Sequence, residues 1–221
     1  MLIFNVNMEC RQCQGIETTF NEKAVSKELK KYRKQGPAKT AQLLINFFKN
    51  EGVNEMKLLD IGGGVGAIQH ELLKEGISSA ISVDASSAYL NVAKKEAEYQ
   101  GHVDRIVYHH GDFINLAPEI PHADVVTLDR VICCYPEMEK LVETSINHAK
   151  SYYGIVYPRN TWWVRLGISL INVFERLKRS DFRVFAHSRE EIHDVVKEKN
   201  FELCMDKKAG VWQVDVFKKN N

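Results

Sequence analysis

The chain has 221 residues, 44% of them hydrophobic, with 30 lysines and arginines against 29 aspartates and glutamates. That length holds one domain with a full core and a short extension, and the near-zero net charge argues against a general nucleic-acid binder, whose affinity comes from surplus cations facing phosphates. Five cysteines in a chain this long make no disulfide framework, and with no signal-peptide pattern and no apolar run of the ~18 residues a membrane span needs, a cytoplasmic protein is expected.

Residues 1–39 precede the regular pattern and read as an N-terminal cap or lid. Met1 to Val6 is apolar, and Cys10 and Cys13 have the spacing of half a zinc site. Cys133 and Cys134 are an awkward second half, because neighbours at a strand end point apart, so no metal is expected. Glu22 to Lys34 is highly charged and reads as a solvated helix; the other reading is a segment that folds over a ligand. From Thr40 to Asn50, Ala41, Leu44, Ile45 and Phe48 share one helical face.

Lys57 to Gly66, K-L-L-D-I-G-G-G-V-G, is the stretch around which the rest of the chain is organised. A short apolar strand ends in glycines and an amphipathic helix begins at once, the strand, turn and helix of a nucleotide-binding crossover. Glycines let the backbone turn sharply and let a ligand approach main-chain N–H groups at the positive end of the next helix. A second strand, Ile81 to Asp84, ends in an acid about twenty residues after the turn, the spacing for a carboxylate on a ribose diol. Further strands are predicted at Arg105 to Tyr108, Asp124 to Leu128 and Tyr153 to Tyr157, with crossover helices led by Val65, Tyr89 and Met138. Thr161 to Arg179 then breaks the alternation: Trp163, Leu166, Leu170, Phe174 and Leu177 form one stripe rimmed by Arg159, Arg165, Arg176, Lys178 and Arg179. It reads as a helix buried against the cap, as the wall of an apolar substrate pocket, or as a peripheral contact with a membrane surface. Ser188 to Glu191 is a capping box, and two final strands, Phe201 to Met205 and Val211 to Phe217, form a hairpin with the alternation of an antiparallel strand.

Asp60 before the glycines would gain nothing beside a phosphate and suits a cationic ligand. Together with Asp84, the Gly111-Asp112-Phe113 triplet and the run Asp124 to Arg130, it resembles the class I methyltransferases that use S-adenosylmethionine, over residues 40–217. The resemblance implies an α/β fold: a Rossmann-like, doubly wound, seven-stranded, mostly parallel sheet with an antiparallel last strand, behind an N-terminal helical cap. It divides the chain into a cap or lid at 1–39 and a methyltransferase domain at 40–221, with a substrate-facing insertion at 159–187. It also implies S-adenosyl-L-methionine as cofactor, with Asp60 near its methionine part, Asp84 on its ribose and Asp112 on its adenine amino group. Gly62, Gly63, Gly64, Ala85, Phe113 and Asp129 complete the expected cofactor set. More distantly, Phe20-Asn21, Tyr32 to Pro37 and Asp129 to Pro136 look like the magnesium-protoporphyrin O-methyltransferases, although the match across Thr161 to Arg179 is poor. Where amino methyltransferases carry an N-P-P-Y type tetrapeptide, Asp129-Arg130-Val131-Ile132 stands instead, which disfavours methylation of nucleobases or glutamine.

Methyl transfer from a sulfonium needs mainly positioning and desolvation, and a base only if the acceptor must lose a proton. His109, His110, Tyr135 and His187 are the candidates for that base. A carboxylate acceptor needs none, and Arg159 or Arg165 would anchor it. Tyr135 and Trp163 are the expected substrate contacts. The expected partner is a small-molecule acceptor, not nucleic acid; a non-catalytic scaffold that binds S-adenosylmethionine, or nothing, is the reading of another class.

Overall fold

The computed structural model describes residues 11–220. Met1 to Val6 and Cys10 lie outside them, as does the side chain of Cys13, so the half-site reading of these cysteines falls outside the described residues. Two helices, α1 (Arg11–Thr19) and α2 (Glu22–Gln35), come first, followed by α3 (Lys39–Glu51). Strands and helices then alternate as β1 (Lys57–Ile61), α4 (Ala67–Lys74), β2 (Ser79–Asp84), α5 (Ser87–Gln100), β3 (Ile106–His110), a single turn α6 (Phe113–Leu116), β4 (Ala123–Asp129), α7 (Met138–Asn147) and β5 (Ala149–Pro158). The chain closes with α8 (Trp162–Leu177), α9 (Arg189–Glu198), β6 (Phe201–Ala209) and β7 (Trp212–Lys219).

The seven strands make one sheet in the order β3-β2-β1-β4-β5-β7-β6, parallel except for β7, which is antiparallel to both β5 and β6. This is the expected sheet. Its centre is buried on both faces, which is why Val125, Val126 and Leu128 run consecutively apolar apart from Thr127. One face packs Leu44 and Phe48 of α3 with Leu72 of α4 against Val125 and Val156. The other packs Leu141 and Val142 of α7 with Ile192 and Val196 of α9 against Leu59, Val126 and Leu128. The chain winds outward from β1 to β3 and returns to β4 on the other side of β1. The carboxyl ends of β1 and β4 therefore flank the crevice where open α/β sheets bind ligands.

Several local expectations change. Strand β5 begins at Ala149, four residues before Tyr153, because the chain pairs with Ala123 of β4 as soon as α7 ends. Cys133 and Cys134 sit in a one-turn 3-10 helix, Ile132–Cys134, rather than at a strand end, with their sulfurs 3.9 Å apart. Helix α2 is charged on its outer face but buries Val25 and Tyr32 against Val65 and α5. Ser188 caps α9 by accepting from the Glu191 N–H at 3.4 Å, and its hydroxyl donates to Glu190 at 2.7 Å. The largest departure is α8. Only Val164 and Glu175 of that helix are buried, and Trp163, Leu166, Leu170, Phe174 and Leu177 point outward, against burial on the cap or a wall facing a substrate and in keeping with the third reading, an outward contact surface.

Candidate functional site

Two adjoining cavities open at the carboxyl edge of the sheet. The first, about 350 Å³, lies between the glycine turn and α2 and is lined by Asp60, Gly62, Gly63, Gly64 and Asp129, with Glu28, Lys31 and Tyr32 above them. The second, about 380 Å³, is lined by Asp84, Ala85, Asp112, Phe113 and Tyr135, and by an apolar wall that includes Ile16, Phe20, Ile171, Phe182 and Val184. Gly62, Gly64, Asp129, Arg130 and Glu28 border both. All nine residues of the expected cofactor set thus line one cavity or the other.

The turn is shaped by what lies beneath it. Gly62 and Gly64 take φ of 65° and 57°, a region costly for residues with a Cβ. Gly63 lies so close over the buried Gln69 amide and the Asp60 carboxylate that a methyl group there would collide with both. Asp60 itself is 1% exposed. Thr127 donates to its Oδ1 at 2.7 Å and Gln69 to its Oδ2 at 3.0 Å. Burial outweighs these bonds and pushes its pKa up to about 7. Asp84, at the end of β2, accepts from the Ser86 N–H at 2.8 Å on one oxygen and from the Gly64 N–H at 3.2 Å on the other. It therefore ties the two loops together, and burial raises it to about 6. Each oxygen keeps a lone pair for a further donor. Asp112 caps α6 through the Ile114 N–H at 3.1 Å and accepts the Tyr135 hydroxyl.

Arg130 stands between the cavities with φ of 64°, an unusual value for a side chain of this size. Its guanidinium is 3.6 Å from Glu28 of α2 and 3.4 Å from Asp129. Arg130 Nε and Asp129 Oδ1 are both buried and make no well-aligned hydrogen bond with protein. The N-terminal helices complete the walls. Gln12 donates to the carbonyls of Cys134 and Arg183 at 2.9 and 2.7 Å and accepts the Arg183 N–H at 3.1 Å. Gly15 meets the backbone of Phe182, and Glu17 accepts the Ser87 N–H at 2.8 Å. None of this is local in sequence. The glycine at position 15 is the one hint in the sequence of a close backbone approach.

The other sequence candidates fare differently. Tyr135 lines the second cavity. His109 and His110 lie on β3 outside both cavities, His110 at 4.0 Å from Glu17. His187 is half-buried behind the wall, its Nε2 2.9 Å from the Tyr135 carbonyl, and burial holds it below the ordinary histidine value. Arg159, Trp163 and Arg165 line neither cavity. The first pairs with the hairpin through Val211 and Gly210, and the other two sit on the outward side of α8. Among the described residues no group of three or more His, Cys, Asp or Glu side chains could hold a metal ion.

The family model described as "Methyltransferase domain" matches residues 58–151, the span from β1 into β5 that holds the turn and all three acids. Over that span the chain is similar to a methyltransferase domain. No curated protein matches it by sequence. Among solved structures it is similar to magnesium protoporphyrin IX methyltransferase from Synechocystis PCC 6803 with bound S-adenosylhomocysteine, at TM-score 0.74 and 15% identity, covering 95% of this chain and 100% of that one. It is also similar to an O-methyltransferase family protein from Burkholderia thailandensis, at TM-score 0.67 and 14% identity, covering 93% and 61%. A third, the O-methyltransferase family 2 protein from Planctomyces limnophilus in complex with apigenin, has TM-score 0.60 and 18% identity, covering 84% and 63%. At these identities the likeness is one of fold. The chain's own residues fit S-adenosylmethionine as donor. The acids of β1 and β2, the bare glycine turn, and the Asp129–Arg130 ion pair, whose Oδ1 and Nε make no hydrogen bond with protein, suit a ligand carrying a ribose, a cation and an amino-acid zwitterion.

Proposed function

We propose that this protein transfers a methyl group from S-adenosylmethionine to an oxygen of a small, largely apolar acceptor. The observation that carries the reading is the junction of two unlike cavities at Gly62, Gly64, Asp129 and Arg130: a polar one under α2, and one whose far wall is Ile16, Phe20, Ile171, Phe182 and Val184. When bound, the donor supplies an already activated methyl group. The protein's residues then have to bind, orient and exclude water. Asp84 takes the ribose hydroxyls with its free lone pairs, Asp112 receives the adenine amino group, and Asp129 with Arg130 holds the amino-acid end. Asp60, with both oxygens engaged, keeps the turn in shape and supplies negative charge beneath a cationic ligand. The described part of the cap, residues 11–39, acts as a lid over the domain that follows, with α2 closing the first cavity and α1 the second. Arg159 and Arg165 line neither cavity, so neither would anchor a carboxylate acceptor. A hydroxyl acceptor would find Tyr135.

A magnesium-protoporphyrin acceptor is the second reading, favoured by the full-length structural likeness to the Synechocystis enzyme. The second cavity is at the small end for a drug-sized ligand and must also take the donor's adenosine, so a tetrapyrrole would have to lie mostly outside it.

Calorimetry and transfer assays test the proposal together. S-adenosylmethionine should bind, and Asp84→Ala, folded by circular dichroism, should lose about ten- to a hundredfold in affinity, the ~1.5–3 kcal/mol of hydrogen bonds to a charged group. Labelled methyl should pass to organic-soluble phenols or carboxylic acids. A protein that neither binds the donor nor gains melting temperature with it is a scaffold; label that goes only to polar amines overturns the acceptor class.

A further inference from the structure

Helix α8 is built inside out. Trp162, Leu166, Leu170, Val173, Phe174 and Leu177 are each 55–78% exposed. At the ~100° per residue of an α-helix they occupy one arc of roughly 120°, opposite the buried Val164 and Glu175. Arg165 and Arg176 border one edge of that arc, and Lys178 borders the other, its ammonium 4.2 Å from the Phe174 ring. The sole acid of the helix, Glu175, is turned inward and paired to Lys178 at 3.0 Å. A water-facing helix has no reason to spend its largest apolar side chains on solvent, and a face of this kind marks a binding surface.

We propose that α8 seats the protein on an anionic lipid surface, lying in the plane of the headgroups with its apolar arc in the acyl boundary. Three features select this occupant. Apolar residues flanked by cations on both edges, with tryptophan at one end, match an interfacial helix, whose long basic side chains reach back to the headgroups. A second copy packed antiparallel on the same face would set Arg165 of one chain near Arg176 of the other, with no outward acid on α8 to pair them. The helix has 16 residues, and no described helix is long and apolar enough to cross a membrane, so it can lie on a bilayer but not span it. The same helix also forms part of the acceptor wall. Ile171 lines the second cavity, and the Asn172 amide clamps Val184 with two bonds of 2.8 Å. On the methyl-transfer reading, which the seating itself does not require, an acceptor dissolved in the bilayer would meet the cavity at the lipid boundary.

Sedimentation of the full chain with vesicles tests the seating separately from catalysis. The protein should bind phosphatidylcholine vesicles containing about a third phosphatidylglycerol at least ~tenfold more tightly than phosphatidylcholine alone, and less so in high salt. Leu170→Glu with Leu177→Glu should abolish sedimentation yet keep the melting-temperature gain with S-adenosylmethionine. Arg176→Gln with Arg179→Gln, which leaves the apolar face intact, should lose the preference for anionic lipid and carries the test if the first variant does not fold. Equal binding by wild type and variants, or no binding to anionic vesicles, overturns the proposal. So does a wild-type dimer in ultracentrifugation that the glutamate variant converts to monomer, since a second copy would then cover the face.

Discussion

Two carboxylates, Asp60 and Asp84, are buried on the neighbouring strands β1 and β2, and desolvation raises both, to about 7 and about 6. Without a ligand Asp60 is about half protonated at neutral pH and Asp84 mostly ionised; a donor that brings a cation above Asp60 and hydroxyl donors to Asp84 needs both ionised. Binding must then expel protons. Affinity for S-adenosylmethionine should therefore rise with pH through these values, by roughly tenfold between pH 6 and pH 8 for the Asp60 step alone. The same groups bear on the stability of the free protein with the opposite sign. A carboxyl raised on folding stabilises the native state below its unfolded value of about 4, and that contribution is lost as pH climbs through the folded value. Isothermal titration across this range checks the first claim. Asp60→Asn should flatten most of the slope, and an unchanged slope would mean that Asp60 does not sense the ligand's charge.

At the scale of elements, the helices that can be read from sequence and the contacts that cannot are often the same helices. The glycine turn and the acids Asp60, Asp84 and Asp112 are legible because their chemistry is local: a strand, a turn and a carboxylate lie within a few residues of one another. The apolar period of α8 is legible too, but a period gives a stripe and not the side from which the protein approaches it, so the stripe reads equally as inward or outward, and it points out. Ile16, Phe20 and Phe182 carry no such local signal: Phe20 meets Phe182 edge-on, ring centroids 5.6 Å apart, and Gln12 and Gly15 reach the same segment from some 170 residues away. Helix α2 shows the same limit. Its charge suggests solvent, yet Arg33 donates two bonds, of 2.9 and 2.7 Å, to Glu96, which is 1% exposed, and Tyr32 donates to Glu71 at 2.9 Å. Arg33→Met leaves Glu96 with only the Gln100 amide at 2.7 Å. Breaking a buried pair typically costs about 3–5 kcal/mol, but Arg33 is itself 44% exposed, so a loss of about 1–2 kcal/mol is expected. It should be seen as faster hydrogen exchange across Glu22–Gln35 and weaker donor binding. Unchanged exchange there would mean that α2 is held by Val25 and Tyr32 alone.

Across the whole molecule, the sheet separates what binds from what braces. The ligand edge is built on β1, β2 and β4, whereas the reversed strand β7 is locked in by a polar cluster around Asp215, which is fully buried. Tyr157 of β5 donates to Asp215 at 2.5 Å, His193 of α9 lies 2.8 Å from it, Gln213 donates at 2.6 Å, and Arg189 approaches to 3.5 Å while also pairing with Asp206 of β6 at 2.8 Å. One carboxylate thus joins β5, β7 and α9, and through Arg189 and Gln213 it reaches β6, where the antiparallel hairpin must complete a parallel sheet. Asp215 lines neither cavity. Asp215→Ala removes the acceptor shared by all these donors and leaves Tyr157 and His193 without it, a loss of about 3 kcal/mol. At ~2–4 °C per kcal/mol for a chain of this size, the melting temperature should fall by roughly 6–12 °C. Donor affinity, measured below the transition, should stay within about twofold of wild type, since Asp60, Asp84 and Asp129 keep their own strands and partners. A folded Asp215→Ala protein that cannot bind S-adenosylmethionine would show instead that the hairpin end of the sheet and the crevice act as one unit.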